Sequence, residues 1–391
     1  MRTVGTQAMG IRTPIIHPGD ALPEIVVESV LDYCKESGTT LQDRDIVGVT
    51  EAVVARAQGN YATTEQIAAD VRAKFPKGSV GIVFPILSRN RFSILLRGIA
   101  AGVEKLYIQL SYPSDEVGNH LVSDDRVYDA GVNPYSDVFT EAEFRAKFGD
   151  IGHEFTGIDY LELYRSVGNA EIILANDPVE ILKHTKQVIV GDIHTRGQTQ
   201  RRLEAAGAEK TVTLADILRE PVDGSGYNAQ YGLLGSNKAD DGRVKLFPHS
   251  CEMFVATVQR LILEQTGAEV EVLVYGDGAF KDPVGKIWEL ADPVVSPAYT
   301  AGLTGLPNEL KLKYIADNEF ADKRGDEARA AIVRRIAEKE ANLKGKDETE
   351  GTTPRRLSDL VGSLCDLMSG SGDKGTPVIL IRGYFDNYAS Q

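Results

Sequence analysis

The chain has 391 residues, 42% hydrophobic and 26% charged, with a formal net charge of −14. That length exceeds one simple core, so two domains are expected, and the balance is that of an ordinary globular protein. The negative charge argues against nucleic acid as a partner and requires that any phosphate-rich ligand be met by local arginines or metal ions.

Cys34, Cys251 and Cys365 lie far apart and no CxxC occurs. Neither a disulfide framework nor a zinc knuckle is expected, and a reducing cytoplasm fits best. The opening MRTVGTQAMGIRTPI has no long apolar stretch, and no run reaches the length needed to cross a bilayer, so no membrane partner is expected.

In chain order, GIRTPIIHPGD reads as a loop punctuated by Pro and Gly, and Glu24 to Glu36 as an amphipathic helix. DRDIVGVT reads as a short strand. Thr50 and Glu51 at its end, with Arg56 beyond, are placed either to face a ligand or to cap the next segment. From Gly78 apolar strands alternate with helices: SVGIVFPI, a helix from Arg89 to Gly102, EKLYIQLSYP, AEIILAND, a helix from Pro178 to Lys186, QVIVGDIHT, a helix from Gln198 to Ala206, and KTVTL. This alternation predicts a parallel sheet over residues 77–230, with ligands beyond the carboxyl ends of its strands. Polar clusters stand at three such ends: Asp115-Glu116 with Asn119-His120, Asn176-Asp177, and Asp192 with His194. An extended chain puts Asp192 and His194 on one face, where they would serve an anion or metal, or else simply cap the turn.

The run from Tyr231 to Gly285 organises the rest. An amphipathic stretch from His249 to Thr266 precedes the apolar strand Val270 to Tyr275, which ends in Gly276-Asp277-Gly278. A carboxylate between two glycines at the end of a buried strand suits a hard cation such as Mg²⁺, and it equally suits a plain Asp-Gly turn. Asn318 to Lys346 reads as a largely exposed helix. Thr352 to Arg356, with Arg355 and Arg356, precedes a helix from Leu357 to Met368, where free N–H groups hold phosphate or are merely capped. Gly370, Gly372 and Gly375 fit G-x-G-x-x-G, but a helix precedes them and a strand, Val378 to Ile381, follows. That is the wrong order for a dinucleotide site; the loop is read as flexible backbone that a ligand approaches closely.

Three blocks carry a family resemblance: GIRTPIIHPGD with DRDIVGVTEAVVARAQGN, GLLGSNKADDGRVKLFP with TGAEVEVLVYGDGAF, and MSGSGDKGTPVILIRG. They resemble the gamma-glutamyl ligases of coenzyme F-420 biosynthesis. The resemblance covers roughly residues 8–60 and 231–383. The expected fold class is therefore mixed α/β and α+β. A discontinuous ligase-like core would span residues 1–76 and 231–391, around an inserted parallel-sheet α/β domain over 77–230.

The family joins L-glutamate to a carboxylate with GTP and divalent metal. The resemblance implies nucleotide contacts at Thr13, Pro14, Ile15, Ile16, Arg56 and Asn237, a metal aspartate at Asp277, and a glycine-rich loop over Gly370, Gly372 and Asp373. Arg355 and Arg356 are added as phosphate ligands. Three positions depart from the family: Leu234 stands where the first metal aspartate is expected, Gly278 where a hydroxyl is, and Ser371 where an acidic residue is. Asp115, Glu116, Asp192 and His194 are the candidates to replace the missing metal ligands. The expected reaction is nucleoside-triphosphate-dependent amide formation through an acyl-phosphate, with GTP or ATP and Mg²⁺ or Mn²⁺, in a homodimer. The acceptor is a deazaflavin or a folate-type carboxylate; a binding protein without turnover is the alternative.

Overall fold

A computed structural model describes residues 3–153, 156–276, 280–281, 288–289, 296–349, 356–370 and 373–390. It contains two large sheets, one mixed and one mainly parallel, in keeping with the expected fold class.

The mixed sheet is assembled from distant parts of the chain. Its order is Gln7–Ile11, Val378–Arg382, Ile46–Thr50, Glu271–Tyr275, Ala298–Tyr299. Only the central pair, Ile46–Thr50 beside Glu271–Tyr275, is parallel, with Thr50 opposite Tyr275. Alternation along these strands splits their side chains between two cores. Val47, Val49, Val272, Val274, Val378 and Leu380 face one way and pack with Val26, Val27 and Val30 of the helix Leu22–Ser37 and with Val255 and Val258 of the helix Cys251–Thr266. Ile46, Leu273, Tyr275, Ile379 and Ile381 face the other way, against Val361 and Cys365 of the helix Leu357–Met368. Both long helices end in a glycine in the left-handed region, Gly38 and Gly267, which lets the chain leave the last turn without a Cβ clash.

The second sheet has the order Phe139–Thr140, Ala170–Leu174, Lys105–Leu110, Ser79–Val83, Gln187–Val190, Lys210–Thr213. All its pairings are parallel except that of the edge strand Phe139–Thr140. The chain order reverses between Ser79–Val83 and Gln187–Val190, which makes a switch-point crevice beyond their carboxyl ends. Gly191 is required there: a Cβ on it would stand 2.9 Å from the Val83 carbonyl oxygen.

The apolar cluster of this second unit runs past residues 76 and 231. It takes in Ala62, Ile67, Val71 and Phe75 before the sheet, and Leu233, Leu234, Val244 and Leu246 after it. The helix Thr64–Lys74, started by a Thr63/Gln66 capping box, packs on the helix Phe92–Ala101. A separate small sheet, Asn237–Lys238, Arg243–Lys245 and Tyr61–Thr63, is built from segments that lie between the two large ones in sequence.

Several local expectations are corrected. The expected loop over residues 10–20 begins at Arg12: Gly10 and Ile11 end a strand, Gln7–Ile11, paired along its whole length with Val378–Arg382. Pro178–Lys183 is a 3-10 turn, not a helix to Lys186. The charged segment from Asn318 to Lys346 is not one helix. A helix ends at Asn318, and a second, Gly325–Ala337, begins only after Arg324 adopts an extended conformation and Gly325 a positive φ of 54°. No described helix is long and apolar enough to cross a membrane.

Candidate functional site

The parallel pair at the centre of the mixed sheet directs both of its carboxyl ends to one edge, and four segments converge there. The strand Ile46–Thr50 passes directly into the helix Glu51–Gln58, with the Thr50 hydroxyl accepting from Ala52 N. Thr50 N donates to the Pro377 carbonyl, which ties this junction to the carboxyl-terminal loop. In that loop Gly370 N donates to the Thr376 hydroxyl at 2.9 Å, and Asp373 is exposed. Arg12 Nε donates to the Lys374 carbonyl at 3.1 Å, bringing the amino-terminal loop alongside.

Arg56 closes the ring. Its Nε donates to the Ile16 carbonyl at 2.5 Å, and among the described residues no hydrogen bond engages its two terminal nitrogens. Ile16 is buried, whereas Ile15 is exposed and Pro14 lies on the surface beside Thr13, whose hydroxyl bonds the Pro14 carbonyl. A guanidinium anchored at Nε and open at both ends presents a fork suited to phosphate or carboxylate. Thr13 to Ile16, Arg56, Gly370 and Asp373 thus come to one end of one sheet.

Asn237 reaches the same end through the small sheet, where it stands opposite Lys245. Lys245 Nζ lies 2.6 Å from Glu51 Oε1 and 2.5 Å from Oε2, a buried ion pair that fastens the hairpin to the first turn of the helix Glu51–Gln58. The sequence flagged Glu51 but gave no signal for Lys245, because its partner is 194 residues away.

Asp277, Arg355 and Gly372 lie outside the described residues, as do Gly278 and Ser371. The strand Glu271–Tyr275 that leads to Asp277 is buried throughout, and Gly276 after it is buried as well. Arg356 is exposed and pairs with Asp359 of its own helix at 3.1 Å.

Asp115, Glu116, Asp192 and His194 stand at the carboxyl ends of the other sheet, round its switch point. The Asp115 carboxylate accepts from Leu87 N, Val117 N, Asn119 N and Asn119 Nδ2 at 2.8–3.0 Å. Burial still holds its pKa above the usual carboxylate range, against those hydrogen bonds. Glu116 accepts from Ile193 N at 2.5 Å and His194 N at 3.1 Å. Desolvation of its carboxylate pushes its pKa up to about 6, although the rest of the residue is exposed.

Asp192 and His194 do not share a face. Asp192 is only 1% exposed and accepts from the Thr195 and Thr199 hydroxyls, while His194 is exposed. The chain turns into the helix Arg196–Ala205 at this point, so the alternation of an extended segment does not apply. These carboxylates clamp loops by receiving N–H and O–H donors. Among the described residues, no three His, Cys, Asp or Glu side chains gather as a metal-holding group.

The position where the resemblance expects a first metal aspartate is filled by Leu234, 2% exposed and part of an apolar cluster with Val244 and Leu246. An isobutyl group has no lone pair to give a cation, so the described donor set does not fit a metal there.

The profile of a family described as F420-0:gamma-glutamyl ligase matches residues 10–383. No curated protein matches the chain. Among solved structures, a biosynthetic arginine decarboxylase from Campylobacter jejuni is 10% identical, over 90% of this chain and 67% of that one, with a TM-score of 0.14. A superposition that poor carries no argument about fold or function.

Proposed function

The chain belongs to the F420-0:gamma-glutamyl ligase family, a family of enzymes, and from that premise we propose that it forms an amide bond between L-glutamate and the carboxylate of a deazaflavin cofactor precursor, driven by GTP. The observation that supports this most is the convergence of the amino-terminal loop, Arg56, Asn237 and the glycine loop at one end of the mixed sheet.

The chemistry runs in two steps. A carboxylate oxygen of the precursor attacks the γ-phosphorus; the bond to the bridging oxygen breaks, GDP leaves, and an acyl-phosphate forms. The amine of glutamate then attacks the acyl carbon; inorganic phosphate leaves and one proton is released. Arg56 holds the triphosphate through its open guanidinium nitrogens and offsets charge as the phosphoryl group moves. Backbone N–H groups of the loop that follows Gly370 and of Thr13, Ile15 and Ile16 cradle the phosphates. Asn237 orients the nucleotide. A divalent cation enters this reading at Asp277, where Mg²⁺ or Mn²⁺ would offset phosphate charge.

The test is to incubate the purified protein with GTP, Mn²⁺, L-glutamate and the deazaflavin precursor, following phosphate release and the mass of the product. The expected result is one phosphate per glutamate added, with ATP and a folate acceptor poorer in side-by-side runs. Asp277→Asn is expected to leave the thermal midpoint in place and abolish metal-dependent GTP binding. Phosphate release with no glutamyl product, or an Asp277→Asn protein that binds metal–GTP normally, would overturn the reading.

A further inference from the structure

Arg89, Arg97 and Lys238 line a cavity of about 640 Å³ beside the parallel sheet. Three separate segments build it. Arg89 precedes the helix Phe92–Ala101, and Arg97 stands on that helix. Leu163 belongs to the helix Tyr160–Arg165 and Val167 follows it, while Lys238 and Asp241 come from the hairpin of Asn237–Lys238 and Arg243–Lys245. Two hydrogen bonds fix the hairpin there: Lys238 N donates to the Asn90 carbonyl at 2.8 Å, and Arg97 Nη2 to the Asp241 carbonyl at 3.0 Å. Lys238 stands opposite Val244, which packs in the apolar cluster of the parallel-sheet unit, whereas Asn237 stands opposite Lys245. Alternation therefore turns Lys238 into this cavity and Asn237 away from it, so the cavity is separate from the site round Arg56.

Among the residues lining the cavity, three cations face one carboxylate, a net charge of +2 in a chain whose formal net charge is −14. Asp241 takes one donor of Lys238, at 2.6 Å, and an ammonium has three. Arg97 uses only Nη2 on the hairpin, and among the described residues no hydrogen bond or ion pair engages the Arg89 guanidinium. Like charges gathered round one concavity repel, and a bound anion removes that repulsion while taking up the free donors. The floor is apolar: Leu163 and Val167 are half-buried and pack on the core beneath. We propose that this cavity binds a phosphate monoester with an apolar group, its dianion held by Arg89, Arg97 and Lys238 and its apolar group laid on Leu163 and Val167. The dianion matches the charge of the lining, and a cavity of this size takes a small organic ligand. A phosphate monoester offers three terminal oxygens, one for each cation, where a carboxylate offers two.

This inference stands apart from the ligase reading. Phenyl phosphate is titrated calorimetrically into the full chain at about pH 8, where the ester is a dianion, beside inorganic phosphate and benzoate. One equivalent of phenyl phosphate is expected, with inorganic phosphate and benzoate each about fivefold or more weaker, the first lacking the apolar group and the second the third oxygen. Arg89→Gln and Lys238→Gln change exposed side chains, and circular dichroism establishes that both variants are folded. Each is expected to bind phenyl phosphate about tenfold or more weakly, the loss of one charge-assisted hydrogen bond. Arg56→Lys should leave that affinity unchanged, and Arg89→Gln should leave GTP affinity unchanged. No binding by the wild type, or unchanged affinity in folded Arg89→Gln and Lys238→Gln, would overturn the proposal. Equal affinity for inorganic phosphate would assign the cavity to free phosphate, and equal affinity for benzoate to a carboxylate; either overturns the ester as ligand. All of these outcomes leave the ligase reading standing, and a wild type that binds phenyl phosphate as expected but no GTP would overturn that reading alone.

Discussion

Gly48 and Cys365 touch across the interface between the mixed sheet and the helix Leu357–Met368: a Cβ built on Gly48 would lie 2.4 Å from the Cys365 sulfur. The glycine is there because the helix lies directly on the central strand, and the buried thiol fills the space a side chain would take. Burial pushes the Cys365 thiol pKa well above its ordinary value, so it acts as packing and not as a nucleophile. Gly48→Ala is expected to destabilise the protein by about 1–3 kcal/mol through overpacking, with Cys365→Ala restoring part of the loss. Urea denaturation of the single and double variants measures both effects.

Asp115 gathers four donors from Leu87, Val117 and Asn119 in a buried loop. Asp115→Ala strands those N–H groups away from water and is expected to cost roughly 3 kcal/mol or more. Asp115→Asn keeps the shape and part of the acceptor capacity, so its loss should be smaller. Denaturation midpoints compare them, and GTP affinity should stay the same wherever the protein is folded.

Glu116 sets part of the pH dependence of this sheet. Its folded pKa is about 6, against an ordinary 4.5, so the folded state holds the proton more tightly than the unfolded one. The contribution to stability is therefore complete below pH 4.5 and is lost as the pH rises through 6. Because the residue is partly open to solvent, screening keeps the effect below roughly 1 kcal/mol. Glu116→Gln should flatten the stability profile between pH 4.5 and 7, read from urea midpoints across that range.

Arg56 is exposed, and among the described residues its side chain is tied only at Nε. Arg56→Lys retains the charge but cannot both hold the Ile16 carbonyl and offer a fork to phosphate. GTP binding is expected to weaken about tenfold while stability changes by less than ~0.5 kcal/mol. Calorimetric titration and a thermal scan check the two halves of this expectation.

The regular elements were legible where local pattern decides them. The apolar strands from Ser79 to Thr213 and the helices round Val26 and Val258 follow from periodicity alone. The strand Gln7–Ile11 was missed because Ile11 alone of its residues is buried and pairing with Val378–Arg382 fixes it. The same holds for the site. Arg56, Asn237 and the glycine loop could be named from local blocks, but the Lys245–Glu51 pair joins residues that no short window contains. The face-sharing expected of Asp192 and His194 failed because two threonine hydroxyls on the following helix turn draw one of them inward.

The strand order of the mixed sheet also dictates how the protein is made. Val378–Arg382 lies between Gln7–Ile11 and Ile46–Thr50, so these two strands leave a ribosome long before the strand that joins them. The strands between Ser79 and Thr213 pair only with one another and close their sheet long before that. During synthesis the inner unit folds first, while the outer strands remain unpaired edges carrying valines and isoleucines, the state most open to aggregation and to chaperones.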